Sequence, residues 1–430
     1  MRTYEKYKDS GISWIGKVPE DWEVMKIKHI GKLYSGATPT TSNPLFWNGD
    51  IKWVTPVDIN EKFILETARK ITREGYESCG TNMVEANSII MSTRAPIGKV
   101  AINKVPVCTN QGCKSIVCNH INVGYCYYLL STCTEELNFL GSGTTFLELS
   151  FSALANFEIP YPSLSEQEAI ANYLDKKTAE IDKIIAEREK KIELLNELKS
   201  SIISRAVTKG INPHAKMKDS GIDWFPFIPC NWEYSSLRHV CKKITDGSHF
   251  SPMSQLEGKP YITVTNVRNN KVYVEEALKI SDEDFRTLVS TGCQPLPGDI
   301  LLSKDGTVGR TAIVTSNDYV VLSSLGILRP SSLVDSKYLE YCLNSNALQM
   351  QMQMMMDGSA LRRITIKKIC NLLVLIPPMH EQLSIVKYLD KKIAEVNNSI
   401  STIRKECALY KEYKQSLISE VVTGKRKVID

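Results

Sequence analysis

The sequence has no apolar run near the ~20 residues that span a bilayer. Runs such as 372–376 are only strand-sized, so no membrane role is expected. None of its 12 cysteines forms a Cys-x-x-Cys pair. The densest group, Cys108, Cys113, Cys118, Cys126 and Cys133, fits no common zinc spacing, and the six histidines are scattered. The N-terminus is polar and charged, which reads as no export signal. Reduced thiols in a cytoplasmic protein are therefore expected. There is no G-x-x-x-x-G-K-[ST] phosphate loop and hence no visible ATP motor. No G-x-G-x-x-G fingerprint occurs either, since Gly141-Ser142-Gly143 lacks the third glycine. A large excess of one charge is missing too: 53 basic and 48 acidic side chains leave +5. That total does not demand a nucleic-acid partner, but a basic face offset by acidic surface elsewhere would give it.

What the sequence does have is a long internal repeat. Lys8-Asp9-Ser10-Gly11-Ile12 returns 210 residues later as Lys218-Asp219-Ser220-Gly221-Ile222. Trp14, Trp22 and His29 return at the same offset as Trp224, Trp232 and His239. Further on, Glu166-Gln167 and Tyr173-Leu174-Asp175-Lys176-Lys177 return 215 residues later as Glu381-Gln382 and Tyr388-Leu389-Asp390-Lys391-Lys392. The middles match weakly, through Ile89, Ser92, Gly98, Ala101 and Ile102 against Ile300, Ser303, Gly309, Ala312 and Ile313. A period this long is a domain duplication rather than a solenoid. The recurring tryptophans read as packing residues.

Each copy has two parts. The first, 1–163 and 218–378, carries short β-type runs such as Ile51–Val54, Ser88–Met91, Tyr261–Val264 and Ile300–Ser303, separated by Gly, Pro, Asn and Asp. It closes on prolines, Pro160 and Pro162 or Pro377 and Pro378, which block an earlier helix start. The second part, 164–209 and 379–424, reads as one long helix. Leu389, Val396, Ile403, Tyr410 and Leu417 recur every seven residues, with Ile393, Ile400 and Cys407 beside them. Leu174, Ile181, Arg188, Leu195 and Ile202 form the matching row, with Ile185 and Ile192 as companions. This is a coiled-coil seam, broken by Arg188 and by Lys199 and Lys414 in the companion rows. An ordinary amphipathic helix on a globular core is the rival reading. Only a short linker, 210–217, joins the copies, and a basic tail, 425–430, ends the chain. The end of the first helix must then lie near the second globular part, which an antiparallel pairing satisfies. A helix of about 43 residues is about 65 Å long, roughly two turns of B-DNA. The expected fold is α+β: two similar mixed α/β domains at opposite ends of an antiparallel pair of long coiled-coil helices, a tandem duplication with pseudo-twofold symmetry. Such symmetry would suit two identical partners.

Tandem divergent domains separated by two similar long helices resemble the DNA-specificity subunits of type I restriction-modification enzymes. Local motifs agree along nearly the whole chain. They are Gly36-Ala37-Thr38-Pro39, Asn48-Gly49-Asp50-Ile51-Lys52-Trp53-Val54-Thr55-Pro56, Ser92-Thr93-Arg94-Ala95-Pro96-Ile97-Gly98 and Asn110-Gln111-Gly112. The second copy has Asp246-Gly247-Ser248-His249 and Gly306-Thr307-Val308-Gly309 instead. The resemblance implies two target-recognition domains, each reading one half of a bipartite double-stranded DNA target. It implies two methyltransferase (modification) subunits docked on this chain and two motor-nuclease (restriction) subunits beside them. S-adenosylmethionine, ATP and Mg²⁺ would serve those partners, with no cofactor and no catalytic or metal residue in this chain.

Base edges are read mostly in the major groove by Arg, Lys, Asn, Gln, Ser and Thr, while phosphate contacts only position. Loop residues of those types are the candidate readers. They are Thr38, Thr41, Asn43, Thr93, Arg94, Gln111 and Lys114 in the first domain. In the second they are Ser248, His249, Arg268, Asn269, Lys304, Asp305, Thr307 and Arg310. Each could equally be a cap, turn or solvated residue, and Gly98 and Gly309 read as turn glycines. Lys190-Lys191, Lys391-Lys392 and Lys425-Arg426-Lys427 read as solvated faces, and Arg362-Arg363 with Lys367-Lys368 as phosphate contacts. The methionine-rich run 350–356 reads either as a helix packing face or as a pliable partner surface. Asn43-Pro44-Leu45-Phe46 faintly resembles the Asn/Asp-Pro-Pro-Phe/Tyr loop of amino-methyltransferases, but Leu45 replaces the second proline. A self-contained methyltransferase or nuclease, and a stand-alone DNA-binding regulator or scaffold, are the rival functions. The purified chain, given DNA and S-adenosylmethionine alone, is expected to transfer no methyl group in a radiolabel assay; turnover without partners would favour the first rival.

Overall fold

A computed structural model describes residues 3–142, 147–356 and 362–428. Gly143 of the Gly-Ser-Gly segment and residues 429–430 of the basic tail lie outside the described residues. The two expected long helices are present, as Leu164–Lys209 and Met379–Val422. Gly210 and Gly424, both at positive φ (+76° and +74°), turn the chain away just beyond their ends. The chain divides into two compact units inside both helices. One holds Met1–Arg188 with Lys405–Asp430, the other Glu189–Arg404.

The first unit is built on a five-stranded sheet. Its order is Gly31–Ser35, Cys113–Cys118, Ile89–Ser92, Val100–Asn103 and Phe63–Ile64. Ile89–Ser92 and Val100–Asn103 are buried along their whole length, which is why they read as unbroken apolar runs without alternation. A second sheet sets Trp47–Val54 between Cys108–Thr109 and Arg69–Ile71. The second unit repeats the plan. Cys241–Asp246, Leu325–Pro330, Ile300–Ser303 and Thr311–Ile313 form one sheet, and Leu278–Ile280, Lys259–Ile262 and Val320–Val321 another. The cysteines are free thiols, mostly buried. Burial pushes those of Cys108 and Cys113 up to about 12, so they stay neutral and pack as small apolar groups.

The repeated residues turn out to be joints between domain and helix. The indole N–H of Trp22 donates to Glu166 Oε2 at 3.1 Å, and that of Trp232 to Glu381 Oε2 at 2.7 Å. Both rings are fully buried, and both carboxylates sit in the first turn of a long helix, where negative charge is favoured. The next residue, a buried glutamine, ties two backbone segments. Gln167 accepts from Asn122 N and donates to Pro162 O, both at 2.8 Å. Gln382 accepts from Asp335 N and donates to Pro377 O, both at 2.9 Å.

Within each unit the beginning of one long helix lies against the end of the other, so the pairing is antiparallel. In the first unit Ile170, Leu174, Ile181 and Ile185 share a core with Leu417, Ile418, Val421 and Val422. In the second, Ile203, Ala206 and Val207 share one with Ile385 and Leu389. The polar interruptions of the seam find partners. Arg188 lies 3.4 Å from Glu406, Lys414 lies 2.6 Å from Asp182, and Lys199 donates to Asn397 at 3.0 Å.

A buried tyrosine fastens each helix end. Tyr125 Oη donates to Pro160 O (3.0 Å) and Val422 O (3.1 Å). Tyr338 Oη donates to Leu375 O (3.2 Å) and Val207 O (3.5 Å). Burial raises both hydroxyls well above the usual tyrosine range, so each remains a donor. Tyr125→Phe or Tyr338→Phe strands two carbonyls in an apolar core. Each is expected to cost about 1–3 kcal/mol, read as a lower urea midpoint; an unchanged midpoint would show that the ties carry no stability.

Candidate nucleic-acid interface

Strands Ile89–Ser92 and Ile300–Ser303 each run into a tight exposed turn, and the same clamp holds both. Ser92 Oγ accepts from Lys99 N (3.0 Å) and donates to Pro96 O (2.6 Å). Ser303 Oγ accepts from Arg310 N (2.8 Å) and donates to Thr307 O (2.5 Å). Gly98 N and Gly309 N return to Ser92 O and Ser303 O, both at 3.0 Å. Those glycines have φ of +89° and +95°, a region that L side chains rarely adopt. The weakly repeated Ser and Gly positions are therefore the frame of a shared turn.

The contents of the frame differ. Arg94 forms an isolated antiparallel bridge with Glu148, and its Nη2 lies 2.9 Å from the carboxylate. Asp305 forms the equivalent bridge with Arg363, Nε to Oδ1 3.1 Å. The same ion pair thus occurs in both units with its charges exchanged. The residue before it is Thr93 in one unit and Lys304 in the other. Lys304 is 4% exposed, with Nζ 3.5 Å from Asp246 and 3.6 Å from Asp305. His249 Nε2 lies 3.2 Å from Asp246. Asp246, His249, Lys304 and Arg363 line one open hollow of about 530 Å³.

In the first unit the inner cation comes from a different strand. Cys113 pairs with Ser92 as Leu325 pairs with Ser303, so Lys114 takes the place that Gly326 holds in the second unit. Lys114 is 7% exposed and has no hydrogen bond or ion pair among the described residues. Burial, with Arg94 beside it, holds its ammonium below the usual lysine range against the pull of Glu148.

The other candidates fall into two groups. Thr38 and Gln111 bond to one another through their side chains, and Thr41 is exposed on the loop that follows Thr38. Thr307 and Arg310 are exposed on the second turn. By contrast, several are taken up by the fold. Thr93 is fully buried, its hydroxyl without a partner, and so presents no surface. Asn43 caps the short helix Pro44–Phe46 by accepting from Leu45 N at 3.1 Å. Ser248 is 4% exposed and closes a turn onto Phe250. Arg268 bonds Glu276 and Thr265 O, and Asn269 with Asn270, both at positive φ, makes the two-residue turn of the hairpin Val267–Arg268/Lys271–Val272. Asp246, Glu148 and Arg363 belong to the clusters although the sequence reading did not name them as readers. A pair whose charges are exchanged between repeats scores as two mismatches, so a search for identity passes over it.

The family profile described as "Type I restriction modification DNA specificity domain" matches residues 19–194 and 229–406. The chain belongs to that family. This specificity subunit is 29% identical to the type I restriction enzyme MjaIX specificity subunit of Methanocaldococcus jannaschii, over 96% of this chain and 95% of the relative. A chain from a type I restriction-modification system solved for its assembly and conformational transition matches 94% of it at 18% identity, covering 98% of that chain, with a TM-score of 0.71. The HsdS subunit of Thermoanaerobacter tengcongensis matches 95% of it at 19% identity, covering 98% of that chain, with a TM-score of 0.52. Specificity subunits bind DNA, assemble with modification and restriction subunits and are the non-catalytic part of the enzyme. No helix among the described residues is long and apolar enough to cross a membrane.

The turn frame of the specificity subunit can be tested directly. A Cβ at position 309 would meet Gln349 Oε1 at 2.5 Å, at a φ that already disfavours side chains. Gly309→Ala is expected to cost about 1–3 kcal/mol in thermal unfolding and to weaken target binding. Wild-type melting and binding would show that the turn adjusts freely.

Proposed function

We propose that each unit reads one half of a bipartite DNA target through its clamped turn, and that the two long helices set the spacer between the halves. The observation that carries this is one backbone frame holding different chemistry: Thr93-Arg94 with Lys114 in one unit, Lys304-Asp305 with Asp246 and Arg363 in the other. A scaffold alone has no use for such divergence, whereas two readers of two different sequences require it. An arginine pairs with the O6/N7 edge of guanine, and a carboxylate accepts from the amino group of cytosine. The readers in the first unit are Arg94, Lys114, Gln111, Thr38 and Thr41. In the second they are Asp305, Thr307, Arg310 and His249, with Lys304 behind them on Asp246 and Asp305.

The chain supplies recognition only. Two modification subunits dock on the paired helices and domains, and two restriction subunits join them. S-adenosylmethionine, ATP and Mg²⁺ act on those partners. Work on cellular DNA places the assembly in the cytoplasm.

The test is Arg94→Ala in the assembly with modification subunits, with methylated adenines mapped across a sequence library. Preference is expected to relax at one half-site by about 1–3 kcal/mol per base contact, with the other half-site unchanged. Uniform loss at every sequence would count against base reading by Arg94.

A further inference from the structure

The two long helices repeat each other at an offset of 215, yet their charges part company at many matched positions, two of which bear on one surface. Asp182 becomes Asn397, and Glu189 becomes Arg404, while Lys414 corresponds to Lys199. In the first unit Lys414 is neutralised by Asp182 at 2.6 Å. In the second, Lys199 has only the amide of Asn397, at 3.0 Å.

The segments facing the helices differ as well. In the first unit Lys62 bridges Asp175 of the long helix and Tyr128 Oη. In the second, Tyr341 Oη still bonds Asp390 at 2.6 Å. The hairpin tip there stops at Asn270, which donates to Thr311 Oγ1 (3.0 Å) and Glu340 Oε1 (3.3 Å). A cleft of about 750 Å³ is left open. Lys199, Lys271, Lys337 and Arg404 line it. Its one lining carboxylate, Glu340, is already paired with Lys337 at 2.7 Å. Lys271 and Arg404 have no hydrogen bond or ion pair among the described residues, and Lys199 has no carboxylate partner.

We propose that this cleft binds a phosphate-bearing anion. Three cations free of carboxylates converge on one concave surface, where low-dielectric walls strengthen their attraction for an anion. The lining amides of Asn196 and Asn397 can each still donate to a phosphate oxygen. Burial holds the Lys199 ammonium below the usual lysine range, a cost that an anion would offset. Two sources share this chemistry: a backbone phosphate of the bound duplex, and a free nucleotide or phosphate. The duplex is favoured by position. Thr311, held by Asn270 and by Asn344 (2.7 Å), directly follows the proposed reader Arg310, and on this point the inference rests on the reading function above.

The decisive variants are Asn397→Asp, which recreates the neutralised pair of the first unit with no change of volume, and Arg404→Gln. Each is assembled with the modification subunits. Binding to a cognate and a scrambled fluorescent duplex is followed by anisotropy across a KCl series, and sodium pyrophosphate is titrated by calorimetry. For a backbone contact, both variants weaken both duplexes by the same factor and reduce the slope of log K against log[KCl] by about 0.9 per phosphate lost. For a free phosphate ligand, the slopes stay unchanged while pyrophosphate binds wild type and not Asn397→Asp. Unchanged slopes together with no pyrophosphate binding to wild type would overturn the proposal. A wild-type assembly that fails to prefer the cognate duplex would instead sink the reading function and leave the pyrophosphate arm readable.

Discussion

Each unit's core is closed by a helix turn from the other sequence copy, and the rest of the structure depends on that loan. Val421 and Val422 complete the first unit, while Ala206 and Val207 complete the second. Tyr125 and Tyr338 reach across to the carbonyls of Val422 and Val207. Repeat and folding unit are therefore out of phase: neither copy contains all the residues its own core needs. The obligation is physical, because a buried carbonyl without a donor and an apolar face left in water both cost free energy.

That constraint explains which residues recur. The indole–carboxylate and glutamine–backbone joints at the helix starts use Trp22 and Glu166-Gln167, Trp232 and Glu381-Gln382, all visible as repeats in the sequence. The heptad rows were legible for the same reason, since an antiparallel seam needs apolar residues at that spacing. Ser92 and Gly98, Ser303 and Gly309 were legible as weak matches and prove to be the turn frame. What fills the frame was not legible. Lys114 and Lys304 are the inner cations of their units and come from different strands, and Asp246 meets Lys304 only through the fold. Thr93 has the chemistry of a reader and lies fully buried, because its backbone is held between Gly112 and Leu149 and residue type does not decide its exposure.

Frame and contents also differ in what they contribute. The frame is backbone hydrogen bonds, a serine clamp and positive-φ glycines, features whose loss distorts the turn itself. The Arg94–Glu148 and Asp305–Arg363 pairs are partly exposed at the surface, and such solvent-screened pairs contribute about 0–1 kcal/mol. Their residues can therefore vary with little effect on folding. The features that hold the fold together are concentrated where the units are alike, and the exposed chemistry varies where they diverge. The same division appears along the helices, where apolar rows match and the charges at Asp182 and Asn397 do not.

The exchanged ion pair sets the size of the piece that can travel between the two units. A graft carrying only the segment around Arg94 into the second unit would face it with Arg363, and the reverse graft would face Asp305 with Glu148. Either hybrid sets like charges opposite one another across the bridge. The transplantable module is thus longer than the turn alone: it runs from the turn to the bridging segment that faces it, so that both members of the pair travel together.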